Sequence, residues 1–193
     1  DENHTVKEVL ITPAITGECN VSLEMFIMRT EFLKKIVQEA ASKSQHSLVR
    51  DVLQGRKDEF VIKGYEHKGV FTKIDGLAAY YQANFSLLQA DTRAGLFQES
   101  APIYTKVGDN APVKYGLESS VKNSLIADGC VIEGSVENCV LFRGVRIGKD
   151  AVVKNSVLMQ GTHVGEKCNI ERVIADKNVD ISSDKVLTGS DDF

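Results

Sequence analysis

A six-residue spacing of aliphatic side chains governs the chain from about Ser119 onward. Ile126 and Ile132, Ile147 and Val153, and Val164 and Ile170 are each six apart. They open or continue phrases such as IADGCV, IEGSVE, IGKDAV and VGEKCN, with an aliphatic residue first and a small or aliphatic residue four later. A repeat this short leaves few folds open. Each hexad supplies one short flat strand and a corner, so three hexads close a triangular coil whose first-position aliphatics point inward. Stacked coils then pair as parallel strands about 4.8 Å apart, and a lone coil has nothing to pair with. The expectation is a parallel β-helix over 119–193. Gly129, Gly134, Gly144, Gly148, Gly161 and Gly165 fall at its corners, and Cys130 and Cys168 take small inward positions.

The chain before the repeats has a different texture. VKEVLIT, NVSLEMFIM, EFVIKGYEH and GVFTKI have strand composition. Between them, TEFLKKIVQEAAS places Phe32, Leu33, Ile36, Val37 and Ala40 on one helical face, with Thr30 as N-cap. SLVRDVLQG reads as a second helix, started by Ser47 and ended by a left-handed Gly55. A third helix begins near Gly76, where Asp75 serves as N-cap and Leu77, Tyr80, Tyr81, Phe85 and Leu88 keep a period near 3.6 residues. Alternation of this kind predicts half of an α/β domain over residues 1–89. Residues 90–118 hold two of the three prolines, lack a helical period and read as a linker.

Bulk properties exclude more than they assign. A net charge of −4 over 193 residues, with both signs interspersed, leaves no basic field for nucleic acid or an anionic membrane. The four cysteines are scattered and form no C-x-x-C pair, which favours reduced thiols in a cytoplasmic protein over a disulfide framework or a zinc site. The chain opens on Asp1 and almost at once on VKEVLIT, which implies a start partway through a larger domain.

Three stretches together resemble the ADP-glucose pyrophosphorylase (glucose-1-phosphate adenylyltransferase) family of bacterial glycogen synthesis. HSLVRDVL at 46–53 is similar to the family's H-D-F-G-K-D-I-I segment and retains His46, a basic residue at Arg50, and Asp51. KIDGLAAYYQANFSLL is similar to the family's D-V-G-T-x-x-A-Y-W-x-A-N-x-D-L helix entry. APIYTK, APVKY and NSLIADGCVIEGSVENCVLFRGVRIG match its linker and opening coils. The resemblance implies a partial Rossmann-like nucleotidyltransferase domain followed by a left-handed β-helix. Active members join a nucleoside triphosphate to a sugar 1-phosphate with Mg²⁺ held by aspartates.

The departures from the pattern point to lost catalysis. No glycine-rich phosphate loop of the G-G-x-G-x-R-L kind is present. Lys73 falls where the family carries the metal-binding aspartate of W-x-D-V-G-T, and its ammonium would repel a divalent cation by roughly 8 kcal/mol at about 4 Å and a dielectric near 20. Glu24 and Phe26 replace the family's Gly and Tyr, and Val49 replaces a Gly. This set resembles the GlgD-type regulatory subunit. The resemblance then implies no cofactor in this chain, a catalytic adenylyltransferase subunit as partner, and homo- or hetero-oligomers through the β-helix. Whether the chain is itself an enzyme stays open, an active pyrophosphorylase being one alternative.

Candidate site residues follow from the same comparison. Arg50, Asp51 and Glu24 lie where the family binds sugar, and Lys73 marks the degenerate metal position. Asp75 as a shifted metal ligand is less favoured than its N-cap role. Lys106, Lys114, Arg143, Arg146 and Lys149 are candidates to gather a phosphorylated effector. His163 in GTHVGEK raises a second alternative, the hexapeptide acyltransferases, whose general base is a β-helix histidine. A solvated corner histidine is the favoured reading, because a base also needs a partner to orient it.

Overall fold

The computed structural model describes residues 4–11 and 19–190. Two compact units are formed, Asp1–Lys68 and Gly69–Phe193. Among the described residues no helix is long and apolar enough to cross a membrane.

Fourteen short strands, counted among the described residues of the second unit, fall in rotation onto three parallel sheets. The first sheet contains β1 (Lys114–Tyr115), β4 (Val131–Ile132), β7 (Arg146–Ile147), β10 (His163–Val164) and β13 (Asp180–Ile181). The second contains β2 (Ser120–Lys122), β5 (Ser135–Glu137), β8 (Val152–Lys154), β11 (Asn169–Glu171) and β14 (Val186–Thr188). The third contains β3 (Leu125–Ile126), β6 (Val140–Leu141), β9 (Val157–Leu158) and β12 (Ile174–Ala175). This is a parallel β-solenoid, and it begins at Lys114, inside the segment expected to be linker. Lys114 N–H donates to the Cys130 carbonyl at 2.9 Å, and Gly129 N–H donates to the Ala111 carbonyl at 2.7 Å. The connecting segment thus already supplies the edge on which the first full coil is laid.

The inward residues expected from the six-residue spacing form the core. Ile132, Ile147, Val153, Val164 and Ile170 are each almost wholly excluded from solvent. At roughly 25 cal/mol per Å² of apolar area, each such side chain contributes about 1.5–3 kcal/mol by burial. The period is six on two sides of the triangle and five on the third, where Val153 is followed by Leu158 and Ile170 by Ala175. Strand register gives the coil length directly: Ile147 pairs with Val164, seventeen residues on. One coil is shorter, with Ile132 pairing with Ile147 after fifteen.

Corner chemistry explains both departures. The five-residue side turns through Asn123, Asn138 and Asn155 at φ of 40, 51 and 46°, a left-handed region that asparagine tolerates better than most residues. These side chains also stack, Asn123 Nδ2 donating to Asn138 Oδ1 at 2.7 Å and Asn138 Nδ2 to Asn155 Oδ1 at 3.4 Å. The fifteen-residue coil turns from β4 to β5 through Glu133 and Gly134 alone. A Cβ on Gly134 would lie 2.3 Å from the Ala151 carbonyl oxygen, so the tight corner requires glycine for room. The same holds at Gly148 and Gly165, and the expectation of left-handed backbone is met at Gly129, Gly144 and Gly161.

Helix α2 (Leu77–Ser86) packs on the outside of the third sheet. Tyr81, Val140 and Val157 form a buried cluster joined by Tyr80, Phe85, Leu88, Leu125, Phe142 and Ile174. This is why β6 and β9 are apolar on both faces while β5, β8 and β11 of the second sheet bury only their central residue. A short helix α3 (Ala90–Leu96) follows, where the sequence predicted an irregular linker. Helical capping also differs from expectation at α2: its N-cap is Gly76, without a side-chain cap bond, and Asp75 instead pairs with Lys73.

In the first unit, α1 (Thr30–Ser42) buries Ile36, and a π-type turn at Leu48–Gln54 buries Val52. Ser47 caps that turn as expected, its Oγ accepting from Arg50 N–H at 3.1 Å. Arg29, not Thr30, holds the N-cap position of α1. Gly55 is right-handed, at φ −73°, and is needed for space, since a Cβ there would lie 2.9 Å from the Asp51 carbonyl oxygen. Among the described residues the four strand-like segments are not joined into a sheet. Among the described residues one antiparallel bridge touches them, from Thr5, just before VKEVLIT, to Lys63 in EFVIKGYEH. Part of VKEVLIT, at Thr12, lies outside the described residues. Strand composition is a preference for a pleated surface between neighbours, and without a ladder Ile27, Val61 and Tyr65 remain exposed.

Candidate functional site

Lys73 is exposed and its ammonium lies 3.5 Å from Asp75 Oδ2. A carboxylate already paired with an ammonium is a poor ligand for a divalent cation, and among the described residues no group of three or more His, Cys, Asp or Glu side chains could hold a metal ion. The residues at this position therefore do not fit Mg²⁺.

Arg50 and Asp51 are adjacent in the first unit, on the π-type turn. Asp51 Oδ2 accepts from the backbone N–H of His46 and of Ser47, both at 2.9 Å. Those bonds, Ser47 foremost, hold the carboxyl below the usual carboxylate range. Asp51 thus closes its own turn. Glu24 takes a left-handed backbone at φ 57°, its N–H donating to Ser22 Oγ at 3.1 Å. Glu24, Arg50 and Asp51 belong to one compact unit and Lys73 to the other.

Of the five basic candidates, Arg143 has a defined task. Its Nε donates to Asp128 Oδ1 at 3.0 Å and its Nη1 to the Lys106 carbonyl at 2.8 Å. Asn110 Nδ2 donates to the other Asp128 oxygen at 2.7 Å. The Asn110 bond first, then Arg143, lowers the Asp128 pKa. This clamp fastens the connecting segment to a corner of the first coils. Lys114 and Arg146 stand in one outward column of the first sheet, with Val131 between them and His163 and Asp180 beyond.

His163 lies on β10 rather than at a corner, and it has the partner that sequence could not supply. Its Nδ1 is 3.1 Å from Asp180 Oδ1 on the next coil, with both side chains largely exposed. The separation of seventeen residues is one coil. Arg143 and Asp128 are likewise one short coil apart, at fifteen. Coil length was the signal that would have revealed both pairs, and six-residue spacing alone does not contain it.

The buried thiols are structural. Cys130 and Cys168 point inward and donate weakly to the Phe142 and Ser182 carbonyls at 3.1 and 3.2 Å. Burial pushes the Cys139 thiol up to about 11.

Comparison with known proteins agrees with this geometry. Residues 111–192 match the family model described as GlmU-like, C-terminal hexapeptide, which begins where the Ala111 carbonyl first pairs. The glycogen biosynthesis protein GlgD of Bacillus subtilis (strain 168) is 40% identical over 169 residues, 88% of this chain and 49% of that protein. This chain is similar over most of its length to glycogen biosynthesis and glucose-1-phosphate adenylyltransferase proteins. GlgD of Geobacillus stearothermophilus is 43% identical over 132 residues, 68% of this chain and 38% of that protein. The glucose-1-phosphate adenylyltransferase of the same organism is 36% identical over 161 residues, 80% of this chain and 41% of that protein. The chain spans about half the length, or less, of these family members.

Proposed function

We propose that this chain belongs to a non-catalytic or weakly active regulatory subunit of ADP-glucose synthesis in glycogen biosynthesis, where ATP and glucose 1-phosphate give ADP-glucose and pyrophosphate. The observation that carries the reading is the pairing of Lys73 with Asp75 at 3.5 Å, at the place where the sequence resemblance sets the family's metal-binding aspartate. The identity to two GlgD relatives supports it. In this reading residues 1–89 are the rear of a nucleotidyltransferase domain, 90–118 the connection, and the solenoid is left-handed. No Mg²⁺ is held by this chain. Arg50, Asp51 and Glu24 keep at most a sugar or effector contact.

The partner in this reading is a catalytic glucose-1-phosphate adenylyltransferase subunit. Terminal coils support association, since among the described residues β14 has a neighbour on one side only, with Val186 and Leu187 exposed. The test is to mix the full-length protein with a glucose-1-phosphate adenylyltransferase from the same cell and measure both the mass of the complex and the rate of ADP-glucose formation. Co-migration with a changed rate or effector response supports the reading. Separate migration with an unchanged rate rejects it.

One observation favours a second reading, a hexapeptide acyltransferase. A histidine oriented by a carboxylate at 3.1 Å has the form of a general base. The pair lies on an open sheet face, and the α2 cluster on the solenoid has no role in such an enzyme. Stabilisation by acetyl-CoA in a thermal-shift titration, abolished by His163→Ala, would favour it.

A further inference from the structure

The outer face of the second sheet carries two columns of side chains. Along the first stand Ser120, Ser135, Val152, Asn169 and Val186, and along the second Lys122, Glu137, Lys154 and Glu171. None of these nine is buried. The charged column alternates in sign on every successive strand, and Lys154 Nζ lies 3.7 Å from Glu137 Oε2 with both side chains nearly half exposed. A shallow trough of about 280 Å³ runs along this face past Ser135 and Val152. The helical cluster covers the third sheet, and the Arg143 clamp lies at the corner between the third and first.

Alternation between neighbouring strands gives favourable cross-strand pairs within the chain. The same pattern has a second property: it is its own complement under rotation about an axis parallel to the strands, with all four charges paired only when that axis is central. Turned over about an axis parallel to the strands and midway between β5 and β8, Lys122 meets Glu171 of the partner subunit and Glu137 meets Lys154 of the partner subunit, each contact occurring twice. The small column then sets Ser135 against Val152 of the partner subunit. Rotation about the column axis would instead set like charges together. Small side chains beside the charges let two such faces approach.

We propose that this face is an isologous interface on which a second copy of this chain docks antiparallel, registered by Lys122, Glu137, Lys154 and Glu171. The charges set orientation and make the pairing salt-sensitive, because exposed pairs are screened within about 10 Å at 0.1 M ionic strength. The inference rests on the oligomer part of the proposed function and not on its catalytic part.

The test uses full-length protein in sedimentation velocity at low and high salt. Two variants are made, Lys122→Glu/Lys154→Glu with an all-acidic column and Glu137→Lys/Glu171→Lys with an all-basic one, their fold checked by circular dichroism. Each alone is expected to lose pairing by about tenfold or more, and an equimolar mixture to restore it as a mixed pair. Rescue on mixing separates docking from a role within the chain, since neighbours inside each variant stay repelled. Ser135→Trp, which blocks the trough without changing charge, is expected to abolish pairing of the otherwise unchanged protein. Wild-type association in all three variants, or no mixed pair, overturns the proposal. No ADP-glucose is measured here, so this proposal and the regulatory reading can fail separately.

Discussion

The Tyr81 hydroxyl donates a 2.6 Å hydrogen bond to the backbone carbonyl of Asn155, at a corner of the solenoid. The same ring stacks on Phe85 with centroids 4.3 Å apart and packs against Val140 and Val157. One residue of α2 therefore joins the helix to the asparagine corner column. Tyr81→Phe keeps the packing and removes the bond, leaving a partly buried carbonyl unpaired. The expected loss is roughly 1–2 kcal/mol, seen as a fall of a few degrees in the midpoint of a calorimetric melt. An unchanged midpoint would show that the helix is held by apolar contact alone.

Two glycines of neighbouring corners separate room from handedness. A Cβ on Gly148 would lie 2.7 Å from Glu166 N and 2.8 Å from the Gly165 carbonyl carbon, both backbone atoms of the next coil. Gly144 has open space around it and φ of +69°. Gly148→Ala should therefore cost roughly 2–3 kcal/mol by forcing coils apart, and Gly144→Ala roughly 1 kcal/mol through left-handed strain. Gly144→Asn should cost less than Gly144→Ala, because Asn178 holds the equivalent corner two coils on at φ 57°. Urea denaturation of the three variants checks the order.

Acid should open the turn at Asp51. Its carboxyl is held below the ordinary value of 3.8 by the N–H groups of Ser47 and His46. A group depressed in the folded state contributes stability above its unfolded pKa and loses it as pH falls through the folded value. Amide protection at His46 and Ser47, followed by hydrogen exchange, should be level above about pH 4 and collapse below it. In Asp51→Asn that acid transition should be absent.

How much was legible beforehand follows from where the information lies. Ile126, Ile132, Ile147, Val153, Val164 and Ile170 announce the solenoid because coil stacking repeats one local rule at each side. The corners were legible only in part: Gly134 and Gly148 are glycines for lack of room against the next coil, a long-range fact. Among the described residues of the first 89 no sheet is seen, since strand preference in EFVIKGYEH or NVSLEMFIM is realised only beside a partner strand. Lys73 stood out by comparison with a family pattern, and its pairing with Asp75 replaced the cap assigned there. The partners of His163 and Arg143 lie one coil away and were invisible without the coil length.

The most direct test of the central claim is ADP-glucose formation by the full-length protein alone, with saturating ATP, glucose 1-phosphate and Mg²⁺. The proposed reading, with Lys73 at the family's metal position, predicts turnover far below about 1 per second, the low end of ordinary enzyme rates. Turnover at ordinary rates by the isolated protein would contradict the account, because the metal would then be held without the position that Lys73 occupies.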